Sequence, residues 1–585
     1  MLTGLTMNKN SSKPILFLAL LFVISVIYFA GFGNAVFFYQ ENRSLFIFSG
    51  AYLREFLLIP GGLTEYMGNF ISQWYYSSLY GSLVLSVFPV LFAIALFRIY
   101  EVLTTHKPVW IILIIAPSCL LLVLQVRIDH FIHHSLGYLL LALFTWLSIH
   151  LSRKGLSILV PLLFPAFVHL TGSFALIFPA IFTIYCLVHI QGKSRYILPV
   201  ILFIIALLSL TGFEGILLNH PPEKYLGFPL NFMYPENLHK GDIILCTYLI
   251  LFPLLVRAAG SIKITTKFSR LALHGISYIA FLISVIILGA LHDPDFAKRS
   301  RIEKFFVHRE WDKVIAQHEK DPSKHISGPY YYNLALSEKG QLCERMFHGR
   351  QDFGEESLLI RSNQEYIDRP MYYYYTLGFI NEAHHLAYES MVLNGYRPEN
   401  IKMLIKCDLI NGNYRSAIRY IDILKKTLHY RQWAKKHELM LHRPDLMLSD
   451  PGLGAKIKLL PRKDFFISPS DALNIDLMLW SNPENKIALE YKLASLLLEK
   501  DYKAIVYQVK KMKNMAYDSL PRHIEEAITL FIKQDHELPY LGDFELSPGL
   551  RNSFDQYAAA TKENPGTATI ENSWGTTYWY YFEFQ

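Results

Sequence analysis

The sequence predicts an all-α protein in two parts. Residues 1–291 read as a polytopic membrane helix bundle of about nine spans, residues 292–566 as a soluble, degenerate helical-repeat domain, and residues 567–585 as an aromatic tail. Three observations carry this. Nine apolar stretches fill the first half. The charges divide unevenly, with 17 Lys+Arg and 9 Asp+Glu in residues 1–291 against 39 and 40 in residues 292–585. Three segments of the second half share one local pattern, a polar residue and an aromatic placed ahead of a small or branched pair.

A bilayer core takes about 20 apolar helical residues. The candidate spans are 14–36, 81–97, 109–126, 135–150, 156–171, 173–190, 196–213, 243–256 and 271–291. Residues 155–192 carry no Asp, Glu, Lys or Arg, which suits a tight hairpin turning near His169-Leu170-Thr171-Gly172. Prolines inside spans (Pro89, Pro117, Pro161, Pro165, Pro179, Pro253) are tolerated where neighbours satisfy the freed carbonyls. The 14 uncharged residues of 243–256 are short for a span, and Arg257 lengthens it by snorkelling.

Basic residues set the orientation. With the N-terminus inside, inner segments collect twelve Lys/Arg and outer loops only five (Arg43, Arg54, Arg127, Lys224, Lys240). Nine spans then put the C-terminal domain outside, in the periplasm of an inner-membrane protein. Lys9, Lys13 and the following apolar run have some features of a secretory signal, but the run is long for one and reads as a retained anchor. The soluble half is nearly neutral and has no basic face, which argues against nucleic acid as a partner. The five cysteines are scattered without metal spacing; a Cys343–Cys407 disulfide is the one pairing open to the soluble half. No Walker A loop, GxSxG elbow, HExxH or dinucleotide fingerprint occurs where it would count, which argues against an ATP-driven pump and the common hydrolases. No cofactor is specified.

Under this topology the outer loops hold the unusual polar residues. The first, 37–80, contains Gln40-Glu41-Asn42-Arg43, Pro60-Gly61-Gly62-Leu63-Thr64-Glu65-Tyr66, and then Trp74, Tyr75 and Tyr76. Apolar and aromatic groups with sparse charges suit short helices lying in the interface; the same aromatics suit an anchoring belt. The second is Arg127-Ile128-Asp129-His130-Phe131-Ile132-His133-His134. On a helix Asp129 and His133 share a face, as do His130 and His134. That spacing suits a metal, and equally a cap with Asp129 near the positive end of the next span. No further ligand is specified, so no metal is assigned. Charged groups at bundle interiors are costly and tend to be functional, while an exposed Arg–Asp pair contributes little. His169 at the hairpin turn, and Glu214, His220, Glu223 and Lys224 before the eighth span, lie on the same face.

This layout resembles the GT-C class of membrane glycosyltransferases, which pair an N-in first span with a long outer loop and a later soluble domain. The resemblance implies a polyprenyl-phosphate-linked sugar as donor. Glu41 takes the place of the family's first-loop acid, Arg127 that of a phosphate clamp, and Asp129 that of a second-loop acid. His130 joins them as a catalytic candidate, and Glu65, Trp74, Tyr75 and His169 as substrate contacts, the aromatics stacking on sugar or lipid. The paired acids of that class are absent, because Asn42 and Arg43 follow Glu41. The Gln-Glu and Pro-Gly-Gly-Leu-Thr-Glu-Tyr segments also resemble an uncharacterised Bacteroidota family of multi-pass membrane proteins, which implies no activity.

In the soluble half, Glu310-Trp311-Asp312-Lys313-Val314-Ile315, Asn413-Tyr414-Arg415-Ser416-Ala417-Ile418 and Asp501-Tyr502-Lys503-Ala504-Ile505-Val506 resemble the turn and second-helix start of a tetratricopeptide repeat, although their aromatics keep no 34-residue period. Such arrays bind protein partners along a concave face; an irregular helical domain is the alternative. Tyr372–Tyr375 and His384-His385 read as packing. The aromatic tail is expected to dock on the domain, as a short strand. Two functions follow: an enzyme transferring a lipid-linked sugar at the outer face, or a non-enzymatic anchor in the lipid bilayer whose repeat domain recruits envelope proteins.

Overall fold

The computed structural model of the chain describes residues 12–43, 45–104, 110–211, 220–262, 267–361, 367–515, 517–535, 539–542, 544–563 and 568–585. Glu214 of the sequence reading lies outside them. Every regular element among the described residues is helical. The chain divides into two units: residues 1–293 with 426–429, and residues 294–425 with 430–585.

The described residues of the first unit form α1 (Ser12–Gly31), α2 (Ala35–Arg43), α3 (Gly50–Leu57), α4 (Gly62–Ser72), α5 (Ser78–Leu103), α6 (Ile112–Leu124), α7 (Ile132–Arg153), α8 (Leu159–Thr171), α9 (Phe178–His189), α10 (Ser194–Leu207), α11 (Pro222–Leu226), α12 (Lys240–Ser261) and α13 (Lys267–Ala290). α5 is central, packing on α1, α6 and α7, while α12 packs on α6 and α9. The core is apolar (Phe29, Phe92, Leu96, Leu121, Leu141, Phe164, Phe178), and many large side chains on the outer surface of α1, α10 and α13 stay exposed. That distribution is expected where lipid is the solvent. Hydroxyls inside these helices turn back onto the preceding turn, Ser25 to Leu21 O (2.6 Å), Ser118 to Ile114 O (2.8 Å) and Thr145 to Leu141 O (2.8 Å), which satisfies them without water.

Among the described residues, six helical segments are long and apolar enough to cross a membrane, seven if Gly275–Ala290 and Pro294–Val307 count as one broken span. Nine were expected, and the difference has three sources. α6 is only 13 residues long. The two spans expected at 156–171 and 173–190 form one apolar segment, Leu159–His189. The last span belongs to the broken pair. The short stretch at 243–256 proves longer than read, because α12 runs for 22 residues.

Leu159–His189 is not straight. The rings of Phe164 and Phe167 lie 6.0 and 6.2 Å from that of Phe178. In a straight helix residues 164 and 178 would stand about 21 Å apart at 1.5 Å per residue. The chain therefore reverses, and it does so at Gly172, whose φ of 59° and ψ of −131° suit only glycine.

The second unit is a succession of helices in which neighbours in sequence pack on each other. One turn recurs. Arg309, Gly340, Gly378, Gly412 and Lys500 all have positive φ, between 60° and 93°. At each, the next residue's N–H bonds back five residues into the preceding helix: Glu310 to Phe305 O, Gln341 to Leu336 O, Phe379 to Tyr374 O, Asn413 to Asp408 O and Asp501 to Leu496 O, all 2.8–2.9 Å. This is the Schellman termination, and a new helix begins at once. The three look-alike segments start helices at Trp311, Tyr414 and Tyr502 directly after such turns.

Tyrosines fill this core, and several hydroxyls are satisfied: Tyr330 on Arg369 O (2.6 Å), Tyr331 on Glu303 (3.0 Å) and Tyr332 on Arg345 O (2.7 Å). Cys343 and Cys407 are both free, so no disulfide joins them. The tail corrects one expectation, since Tyr578–Phe584 is a helix and not a strand. Thr577 caps it by accepting from Tyr580 N, Glu526 accepts from Tyr578 N (2.7 Å), and Trp579 Nε1 donates to Glu526 O (2.8 Å).

Candidate functional site

The polar residues of the first unit gather at one end of its bundle, where α4, α7, the hairpin tip and the 228–230 segment interlock and the start of α12 joins through the side chain of Asp242. Gly68 of α4 sits so close to α7 that an added Cβ would lie 2.8 Å from His133 Cβ. Gly61 N donates to His169 O (2.8 Å), and Thr64 Oγ1 to Leu170 O (2.6 Å). Ser173 N donates to Phe228 O (2.9 Å), and Ser173 Oγ accepts from Leu230 N (2.8 Å). These contacts build a frame beside the loop after α6, residues 127–131, and Gln40 ties the loop down through His130 O.

Arg127 lies on that loop and uses two edges of its guanidinium. Nε donates to Asp129 Oδ1 (3.0 Å) and Nη2 to Asp129 Oδ2, while Nη1 lies 3.6 Å from Asp242 Oδ2. Asp242, in the first turn of α12, accepts from Tyr138 Oη at 2.9 Å, and that hydroxyl also meets Cys246 Sγ at 3.7 Å. His239 caps the same helix, its Nδ1 accepting from Gly241 N (3.1 Å). Burial, and Arg127 beside it, push the His239 imidazole below its usual range. A polar chain thus runs from solvent-facing Asp129 through Arg127 and Asp242 to buried Tyr138.

Gln40 joins α2 to this loop, donating from Nε2 to His130 O at 3.0 Å. Glu41, the next residue, is buried in α2. His130 is buried, with Nε2 3.1 Å from Ser135 Oγ, and Gln125 Nε2 donates to that hydroxyl at 3.0 Å. Burial, with His134 and Arg127 nearby, holds the His130 imidazole well below its usual range. His130, His133 and His134 cluster, with ring centroids 4.5 Å apart for His133–His134 and 5.2 Å for His130–His134. Among the described residues no group of three or more His, Cys, Asp or Glu is arranged to hold a metal ion.

The other expected residues separate. Glu65 lies on α4, one turn before Gly68, and burial alone pushes its carboxyl up to about 7. His169 Nε2 bonds to Leu57 O at 3.0 Å, pinning the end of α3. Trp74 is exposed. Tyr75 requires a correction: it is buried at 2 % exposure against Phe37, ring centroids 5.0 Å apart, so it has no face for a sugar. His429, on the short 426–429 stretch of the same unit, stacks flat on Tyr76 at 4.3 Å.

Sequence reasoning missed Asp242, Tyr138 and His239. An aspartate in the first turn of an apolar helix was the available signal, since a carboxylate there needs a partner. Its partners are remote in sequence, as Tyr138 lies 104 residues away.

Neither a curated protein nor a solved structure matches the chain. Residues 10–585 match a family of unknown function, DUF6057, and the chain belongs to that family.

Proposed function

We propose that this membrane protein is a transferase acting on a polyprenyl-phosphate-linked sugar, in the manner of the GT-C class. The site is the bundle end around Arg127. The N-terminus is cytoplasmic, the site and the C-terminal domain are periplasmic, and the membrane is the inner one. The observation that carries the reading is the forked guanidinium of Arg127, presented by a rigid frame and backed by a buried carboxylate. A guanidinium fork matches phosphate geometry. Asp129 and His130 are engaged by Arg127 and Ser135, which disfavours either as the base. Glu65 stands apart from Arg127, but α4 carries it one turn from the close approach to His133 and its carboxyl ionises near neutral pH, which makes it the better proton acceptor. Glu41 is the second candidate.

The test is sugar transfer or donor hydrolysis by the full chain in proteoliposomes, using a short-chain polyprenyl-phosphate hexose. Glu65→Gln is expected to lower the rate by about 10²- to 10⁴-fold. The wild-type rate should rise with pH through about 7, as Glu65 loses its proton. A Glu65→Gln protein with unchanged rate and pH profile removes Glu65 from the reaction, and loss only in Glu41→Gln transfers the role. Accessibility checks the topology. Cysteines placed at exposed Glu236 and Phe466 should label from outside and one at Lys154 should not.

The recurrent turn of the second unit favours an additional reading, a TPR-like array that binds envelope proteins. Under it, charge substitutions at exposed Val392 and Leu393 should reduce crosslinking to neighbours in intact cells while leaving transfer unchanged.

A further inference from the structure

The two carboxylates on Arg127 are not equivalent. Asp129 takes the Nε–Nη2 edge of the guanidinium with both of its oxygens, the pattern in which a phosphate would be bound. It lies two residues from Arg127 in the same turn, and its side chain is 55 % exposed. Rotation about a short stem carries it into water without moving the backbone. Asp242 faces the other edge at 3.6 Å, is 10 % exposed, belongs to a 22-residue helix and is held by the Tyr138 hydroxyl. A buried partner of this kind cannot leave without stranding its charge, whereas an exposed ion pair is weak.

We infer that the Nε–Nη2 edge of Arg127 is a phosphate seat, that Asp129 occupies it at rest as an internal surrogate, and that Asp242 and Tyr138 keep the guanidinium aimed when a phosphate displaces Asp129. The inference rests on the phosphate reading above and gives Asp129 a different part from a second-loop acid. Asp129 competes with the ligand, and Asp242 and Tyr138 are positioning residues. The ligand is a phosphate group, whether free or on a lipid.

The test needs binding alone. The full chain in detergent, as wild type, Asp129→Asn, Arg127→Gln and Glu236→Gln, is titrated calorimetrically with inorganic phosphate and with geranyl monophosphate. Asp129→Asn is expected to bind about two- to fivefold more tightly than wild type, the equivalent of removing an exposed ion pair. Arg127→Gln should lose binding. Glu236→Gln, which removes an exposed charge from the loop before α12, should match wild type. If Arg127→Gln does not fold, Arg127→Lys keeps the charge without the fork and should bind more weakly than wild type.

Tightening with both probes alike assigns the seat to phosphate itself; tightening greater with geranyl monophosphate assigns it to a lipid-borne phosphate. Equal tightening in Glu236→Gln reduces the effect to bulk charge and overturns the inference. Arg127-dependent binding by wild type without tightening in Asp129→Asn overturns it too, and leaves the phosphate reading standing. Absence of Arg127-dependent binding to both wild type and Asp129→Asn brings down the two together.

Discussion

His318 shows what single buried groups contribute to the second unit. It packs against Tyr332 with ring centroids 4.8 Å apart, and burial pushes its imidazole down to about 4. His437, stacked on Trp433, is pushed down to about 4 in the same way. An unfolded histidine takes its proton near 6.5. Between about 4 and 6.5 the unfolded chain therefore binds more protons than the folded one, so stability rises with pH in that window. The second unit is expected to lose stability as pH falls below 6.5, by at most about 3 kcal/mol for each histidine. His318→Phe should flatten part of the slope when tyrosine near-UV signals are followed during thermal unfolding. A slope unchanged in that variant assigns the acid sensitivity elsewhere. Little of this was legible in sequence, because a lone histidine on an apolar face does not announce its depth. The Arg127–His134 run was legible as a polar cluster. Its partners Asp242 and Tyr138 were not, since they meet only through side chains 104 residues apart in sequence.

Among the elements, the repeated turn was the best foreseen and the membrane helices the worst counted. Glu310-Trp311, Asn413-Tyr414 and Asp501-Tyr502 were recognised as helix starts from a polar residue before an aromatic, a pattern set within a few residues of chain. The other two turns, at Gly340 and Gly378, lack that pattern and pass unnoticed in sequence. The aromatic tail misled for a physical reason. Tyr, Trp and Phe favour strands in general, but Thr577 caps a helix and Glu526 receives its first backbone N–H, that of Tyr578. The turns also isolate one energy term. Gly412 has a φ of 72° and open space where a Cβ would go, so Gly412→Ala meets no clash. Its cost is the left-handed conformation alone, about 1 kcal/mol. Local hydrogen exchange in the helices Pro398–Ile410 and Tyr414–Lys425 should speed up accordingly, while exchange around Tyr502 stays unchanged. Equal loosening throughout the unit would mean that the array does not behave as a chain of local contacts.

For the molecule as a whole, apolar length and the hairpin near Gly172 were read from sequence, and the number of helices long enough to span was not. Hydropathy sees how much chain can leave water, and the charge-free run 155–192 pointed to a fold-back; neither sees how long each helix runs. The hairpin turning at Gly172 has a consequence for biogenesis. Its limbs, α8 and α9, are 13 and 12 residues long, or about 20 and 18 Å of helix against a hydrocarbon core of about 30 Å. Neither limb is long enough for the insertion machinery to retain it as an independent stop. The pair must enter the bilayer together, after synthesis has passed residue 189. Nascent chains ending just beyond Thr171 are expected to leave α8 in water, open to a glycosylation tag or a protease, and chains ending beyond His189 to protect it. Protection of the shorter chain would show that α8 is retained alone. The order in which ribosomes release these helices is thus part of how this protein acquires its shape.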